Sequence, residues 1–144
     1  MKSMTWCLAL LILSSSAGAE QLPVVEKNST APIGQIGKPG QPIDVKPYAV
    51  PGKTTVFDFN SPYCGPCRRM AAELEKIVKR RHDIVVRSIL IDRPGSKGID
   101  FGSPIAEQYK LQGIPYFIIY DGKGKQVADG DKAYEMILTW AKQK

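Results

Sequence analysis

The sequence predicts an α/β domain, a central mixed β-sheet flanked by helices on both faces. Three observations carry that reading. Short apolar runs at Thr54–Phe59, Ile84–Ile91 and Tyr116–Tyr120 are rich in β-branched and aromatic residues and have the length of strands. Two other stretches repeat apolar residues at spacings of three and four: Met70, Ala71, Leu74, Ile77 and Val78, then Ala133, Ile137, Trp140 and Ala141. That period gives a helix one buried face. The elements follow in the order β, β, α, β, α, β, β, α. The first helix links two central strands as a parallel crossover, and a hairpin and a last helix complete the layers.

The chain has 144 residues. Its first nineteen read as a signal peptide. Lys2 is followed by the apolar stretch Met4–Leu13 and by Ala17-Gly18-Ala19, a small-x-small cleavage pattern. Cleavage near Ala19 places the mature chain in the periplasm or outside the cell. The apolar stretch is short for a membrane span of about 20 residues. Residues 20–42 carry Pro32, Gly34, Gly37, Pro39, Gly40 and Pro42, so an extended arm with little regular structure is expected there. The domain is placed at 43–144. It opens on a weak strand over Ile43–Val50, which Pro47 confines to an edge.

Thr54–Phe59 is apolar almost throughout, as in a strand buried on both faces. A helix is predicted from about Cys64 to about Arg81, ending in the basic cluster Lys79-Arg80-Arg81-His82. Positive charge there complements the helix dipole. Pro94, Gly95 and Gly98 mark a loop over 92–102. Ser103-Pro104 reads as an N-cap and first helical residue of a short helix ending near Gly113. Asp121-Gly122-Lys123-Gly124 turns the third strong strand into a short one around Lys125–Ala128, and Asp131 caps the last helix.

Cysteine usage separates function classes. Without residues 1–19 only Cys64 and Cys67 remain. One pair three residues apart closes a tiny loop and restrains little of the unfolded chain, so reactivity explains it better than stability. Two such cysteines form a redox pair, an inert disulfide or part of a metal site. With His82 they make only three soft ligands, and no metal is expected. Their place, where a strand ends and a helix begins, favours redox chemistry, because a helix N-terminus stabilises a thiolate. The net charge of +6 falls to +5 without Lys2. No stripe of basic and aromatic residues accompanies it, and no nucleic-acid partner is expected.

Over about Ile43–Gln143 these residues resemble the thioredoxin family. Cys64-Gly65-Pro66-Cys67 matches the family's active-site CGPC motif, Asp58 its buried acid, and Ile114-Pro115 its cis-proline. Exported, periplasmic thioredoxin-like proteins resemble the chain most, in the run from Ser103 to Phe117. The resemblance implies a thioredoxin fold and a thiol–disulfide oxidoreductase acting as a disulfide reductase. Its redox-active disulfide, Cys64 with Cys67, needs no further cofactor. Cys64 is implied as the nucleophile and the more exposed sulfur, Cys67 as the resolving thiol and Asp58 as its proton acceptor. Gly65 and Pro66 tune the redox poise. Tyr63, Pro66 and Ile114 form an apolar rim, where Ile114, before the cis Pro115, pairs with substrate.

Implied partners are protein disulfide clients, including apocytochromes, and a membrane electron donor of the DsbD or CcdA type. A monomer is expected. The alternatives are an oxidase or isomerase using the same cysteines, or a non-catalytic adaptor. The chain departs from cytoplasmic thioredoxin at Tyr63, where that protein has tryptophan, and at Asn60-Ser61-Pro62. It departs also at Ala72, in place of a helix-kinking proline, and at Ser88, where a lysine usually lies near the buried acid.

Overall fold

A computed structural model describes residues 21–143. The signal peptide expected at 1–19 lies outside the described residues. In chain order the elements are β1 (Ile33–Gln35), a 3-10 turn (Lys46–Tyr48), β2 (Thr54–Asn60), α1 (Gly65–Arg80), β3 (Ile84–Leu90), α2 (Pro104–Gln108), β4 (Tyr116–Tyr120), β5 (Gln126–Asp129) and α3 (Gly130–Lys142). The sheet order is β1-β3-β2-β4-β5. β1 and β2 run parallel to β3, while β4 is antiparallel to β2 and β5 to β4. This is the thioredoxin fold, a mixed sheet with helices on both faces.

Period-two alternation divides the core. Val56, Val86, Phe117 and Ile119 face one side, where Met70, Leu74 and Ile77 of α1 and Ala133 and Ile137 of α3 cover them. Phe57, Phe59, Ile89 and Ile118 face the other, packed on Ile36, Val45 and Ile105. Asp58, between Phe57 and Phe59, therefore points to the α1 side.

Three expectations need correction. Ile43–Val50 is not a strand. The backbone of Ile43 bonds to side chains: Gln108 Oε1 accepts its N–H (3.0 Å), while Gln108 Nε2 (3.1 Å) and the Tyr109 hydroxyl (2.9 Å) donate to its carbonyl. Asp44 Oδ1 then accepts the Lys46 N–H (3.1 Å), and Pro47, with no N–H, sits in a 3-10 turn.

The edge strand comes instead from the segment read as a loose arm. β1 pairs with Val86–Ser88, and Val25 N–H donates to Gln35 O (2.9 Å) on its outer edge. Gly34 permits this approach, since a Cβ there lies 2.4 Å from Val25 Cγ1. Arg87, fully buried, donates to the carbonyls of Ala31 (2.9 Å), Val86 (3.0 Å) and Ser29. Its guanidinium thereby ties the segment to the sheet, and burial lowers its pKa.

The last helix has Asp129 at its N-cap position, without a side-chain capping bond, and Asp131, expected as the cap, lies in its first turn. β5 runs directly into α3, and Gly130, at φ +50°, makes the bend.

Candidate active site

β2 ends at Asn60 and α1 begins at Gly65, so residues 61–64 form a tight connection between the centre of the sheet and a helix N-terminus. Side chains fix it. Ser61, buried, donates its hydroxyl to Asp92 Oδ2 (2.5 Å) and accepts the Tyr63 N–H (3.1 Å). Asp92 Oδ1 also accepts the Asp100 N–H (2.7 Å). The Tyr63 hydroxyl donates to Ser96 O (2.5 Å), although the residue is 50% exposed. The loop from β3 to α2 is thus bound to the segment before the cysteines. A bidentate pair between Arg93 and Asp100 (2.6 and 3.0 Å) closes that loop on itself.

Cys64 is the N-cap of α1, and its Sγ accepts the Cys67 N–H at 3.1 Å. Cys64 and Cys67 form a disulfide, with Cα atoms 5.2 Å apart. Gly65 and Pro66 lie in the first turn, where the missing N–H of proline leaves no helical bond unmade. Both cysteines are 3% exposed, so in the disulfide Cys64 is not the more accessible of the two, as the resemblance implied. They differ in what they face. Cys64 Sγ lies 3.7 Å from the carbonyl oxygen of Ile114, and the Ile114–Pro115 peptide is cis. Cys67 lines a groove that also reaches Asp58.

Asp58 is 4% exposed, and its Oδ1 has no hydrogen-bond partner among the described residues. Desolvation dominates its chemistry and raises its pKa from 3.8 to about 7, against the opposing effect of the Asn60 side chain. Among the described residues no lysine contributes to this shift. Ser88 is its partner in the parallel register, and Asn60 Nδ2 donates to Ser88 Oγ (2.8 Å) and to the Asp58 main-chain carbonyl (3.0 Å). A carboxyl that titrates near neutrality suits acid–base work at physiological pH.

Arg68 is exposed and donates to Pro62 O (2.9 Å). Among the described residues no three His, Cys, Asp or Glu side chains are grouped to hold a metal, and no helix is long and apolar enough to cross a membrane. Sequence reasoning did not assign roles to Ser61, Asp92, Ser96 or Asn60. The only signal was the departure at Asn60-Ser61-Pro62.

The model of the thioredoxin family matches residues 48–143, and the chain belongs to that family. It is a thioredoxin-fold redox protein with a disulfide-capable Cys64–Cys67 pair. It is similar to thioredoxin H3 of Arabidopsis thaliana, with 29% identity over 93 residues, 64% of this chain and 72% of that one. It is also similar to a protein disulfide-isomerase of Zea mays, 28% identical over 92 residues. There the match covers 61% of this chain but 17% of the relative's length. Among solved structures, thioredoxin f2 of Chlamydomonas reinhardtii is 25% identical over 62% of this chain and 77% of that one, at a TM-score of 0.44.

Proposed function

We propose that the protein is an exported thiol–disulfide oxidoreductase that reduces disulfides in client proteins through the Cys64–Cys67 dithiol. The observation that carries this reading is the placing of the pair at the N-terminus of α1, above a buried carboxyl that titrates near neutrality. The Cys64 thiolate attacks a client disulfide, and its negative sulfur is held by the Cys67 amide. The client lies across exposed Tyr63 and Pro66 and half-buried Ile114, pairing with the Ile114 main chain as a short strand. Asp58 takes the proton of Cys67, which attacks Cys64 Sγ and releases the reduced client.

Gly65-Pro66 between the cysteines lacks the histidine of strong oxidants of the DsbA type, which supports reduction over oxidation. A reductant in an oxidising compartment requires electrons from elsewhere, and a membrane thiol transporter of the DsbD or CcdA type fits that need. Oxidised apocytochromes are suitable clients. Export rests on residues 1–19, and in this reading the protein acts as a monomer.

The relatives named protein disulfide-isomerase favour a second reading, in which the same cysteines isomerise disulfides. The reduction potential separates the two. A value near about −270 mV supports the reductase, and one near about −180 mV the isomerase. Insulin reduction by wild type and loss of turnover in Cys64→Ser test either reading against a non-catalytic adaptor. Cys67→Ser is expected to leave Cys64 joined to its client, which mass spectrometry then identifies.

A further inference from the structure

A groove of about 700 Å³ lies between α1, the sheet and the arm. Neither Cys64, Tyr63, Ile114 nor Pro115 lines it, so it is separate from the proposed client face. Its inner wall is formed by the buried residues Asp58, Cys67 and Ser88, and its rim by exposed Leu22, Arg68 and Glu75. The groove therefore joins the buried carboxyl to the surface. Asn60 and Ser88 bond to each other, while Asp58 Oδ1, shielded from solvent, has no hydrogen-bond partner among the described residues; between Cys67 and Glu75, α1 lines the groove with Ala71 and Leu74.

A buried acid must gain and lose a proton in every cycle. A client held covalently on Cys64 covers the face of Tyr63 and Ile114, so the proton needs another path. A cavity of this size with several polar partners has room for bridging waters. We propose that the groove is a proton port, through which Asp58 exchanges protons with bulk water while a client is bound to Cys64. The proposal rests on the reading of Asp58 as acceptor of the Cys67 proton.

In the step served, the S–S bond between client and Cys64 breaks and that between Cys64 and Cys67 forms. The bonding pair leaves with the client sulfur as a thiolate. Two electrons pass from the dithiol to the client disulfide, and the Cys67 proton passes to Asp58 and out along the groove. Among the described lining residues, the ionisable side chains other than Asp58 are Cys67, Arg68 and Glu75, all on α1. The arm and β3 contribute none.

The test is to plug the port. Ala71→Phe fills it from the helix, and Val24→Trp fills it from the arm at a residue 71% exposed. Stopped-flow kinetics with a fluorescent peptide disulfide separate the first attack from resolution. Attack is expected at the wild-type rate and resolution at least about threefold slower, with a larger solvent deuterium isotope effect. In an Asp58→Asn background neither plug is expected to slow resolution further. Wild-type resolution and isotope effect in the folded plugged variants overturn the port. Should Ala71→Phe not fold, Val24→Trp decides alone. Wild-type resolution in Asp58→Asn by itself overturns the role of Asp58, whereas slow Asp58→Asn with unaffected plugs overturns the port only.

Discussion

Replacing Asp58 by asparagine removes one titrating group from the core and nearly preserves its shape. The folded protein binds the Asp58 proton more tightly than the unfolded chain does, with a pKa of about 7 against 3.8. The stability associated with this group is therefore complete below about pH 4 and is lost as pH rises through about 7. At about 1.4 kcal/mol for each pH unit, the rise corresponds to about 4 kcal/mol of wild-type stability lost between these limits. The residue is 4% exposed, so solvent screening removes little of it. Asparagine adds a constant cost of about 1–3 kcal/mol for an amide with incomplete bonding, which shifts its curve without tilting it.

Urea unfolding of the oxidised proteins from pH 4.5 to pH 8.5 measures the difference. In the disulfide form neither cysteine titrates, and the other carboxylates are common to both proteins. The Asp58→Asn protein is expected to gain on wild type by about 3 kcal/mol across that range, most of it between pH 4.5 and 7. Parallel curves, within about 0.5 kcal/mol, refute the claim that Asp58 is buried without a partner for its charge.

Three further outcomes are expected. In the reduced protein, iodoacetamide alkylation followed against pH should show Cys64 reacting at lower pH than a free thiol and faster than Cys67, because the helix N-terminus supplies the Cys67 amide to its sulfur. Faster labelling of Cys67 reverses the assignment. Arg87→Met removes three hydrogen bonds from a buried guanidinium to carbonyls, at about 1.5–3 kcal/mol for a bond from a charged group. Urea melts should register a loss of that order, and limited proteolysis should cut near 28–31 before the rest of the domain; unchanged cleavage counts against the clamp. Gly34→Val drives a side chain into Val25 at about 1–3 kcal/mol of overpacking, and amide exchange should report loss of the Val25-to-Gln35 bond with β2 to β4 unaffected.

The centre of the fold was legible because its pattern is local. β2, β3 and β4 fall within one residue of the expected bounds, since burial on both faces leaves nearly continuous apolar runs. α1 was legible from its period and its dense apolar face. β1 was not. It is three residues centred on Gly34, held by its pairing with β3 and by Arg87, more than fifty positions away, which bonds the residues just before it, rather than by its own composition. Ile43–Val50 misled for the opposite reason. Its apolar residues do anchor the core through Val45 and Val50, but Gln108 and Tyr109 take up backbone groups that a neighbouring strand would have bonded. At the site, the cysteines, Asp58 and Ile114-Pro115 could be placed by motif. The groove could not, because it is the volume left by a serine and an alanine on elements that meet only in the folded chain.

Equal burial of the two cysteines shifts the division of labour from exposure to surroundings. A negative sulfur at position 64 receives a main-chain N–H at 3.1 Å. A negative sulfur at position 67 shares its groove with Asp58, and whenever that carboxyl is ionised, the two like charges oppose each other. In the proposed cycle these surroundings favour charge on Cys64 over charge on Cys67. The order changes once Cys64 is committed to a mixed disulfide. Its charge is then gone, and ionised Asp58 is able to take the proton of Cys67. Burial raises the pKa of the acid to about 7, which strengthens it as a proton acceptor. With serine at position 88, that balance rests on burial and the Asn60 side chain, so in the proposed mechanism it is the depth of Asp58, rather than a neighbouring cation, that sets the pH at which the second half of the reaction proceeds.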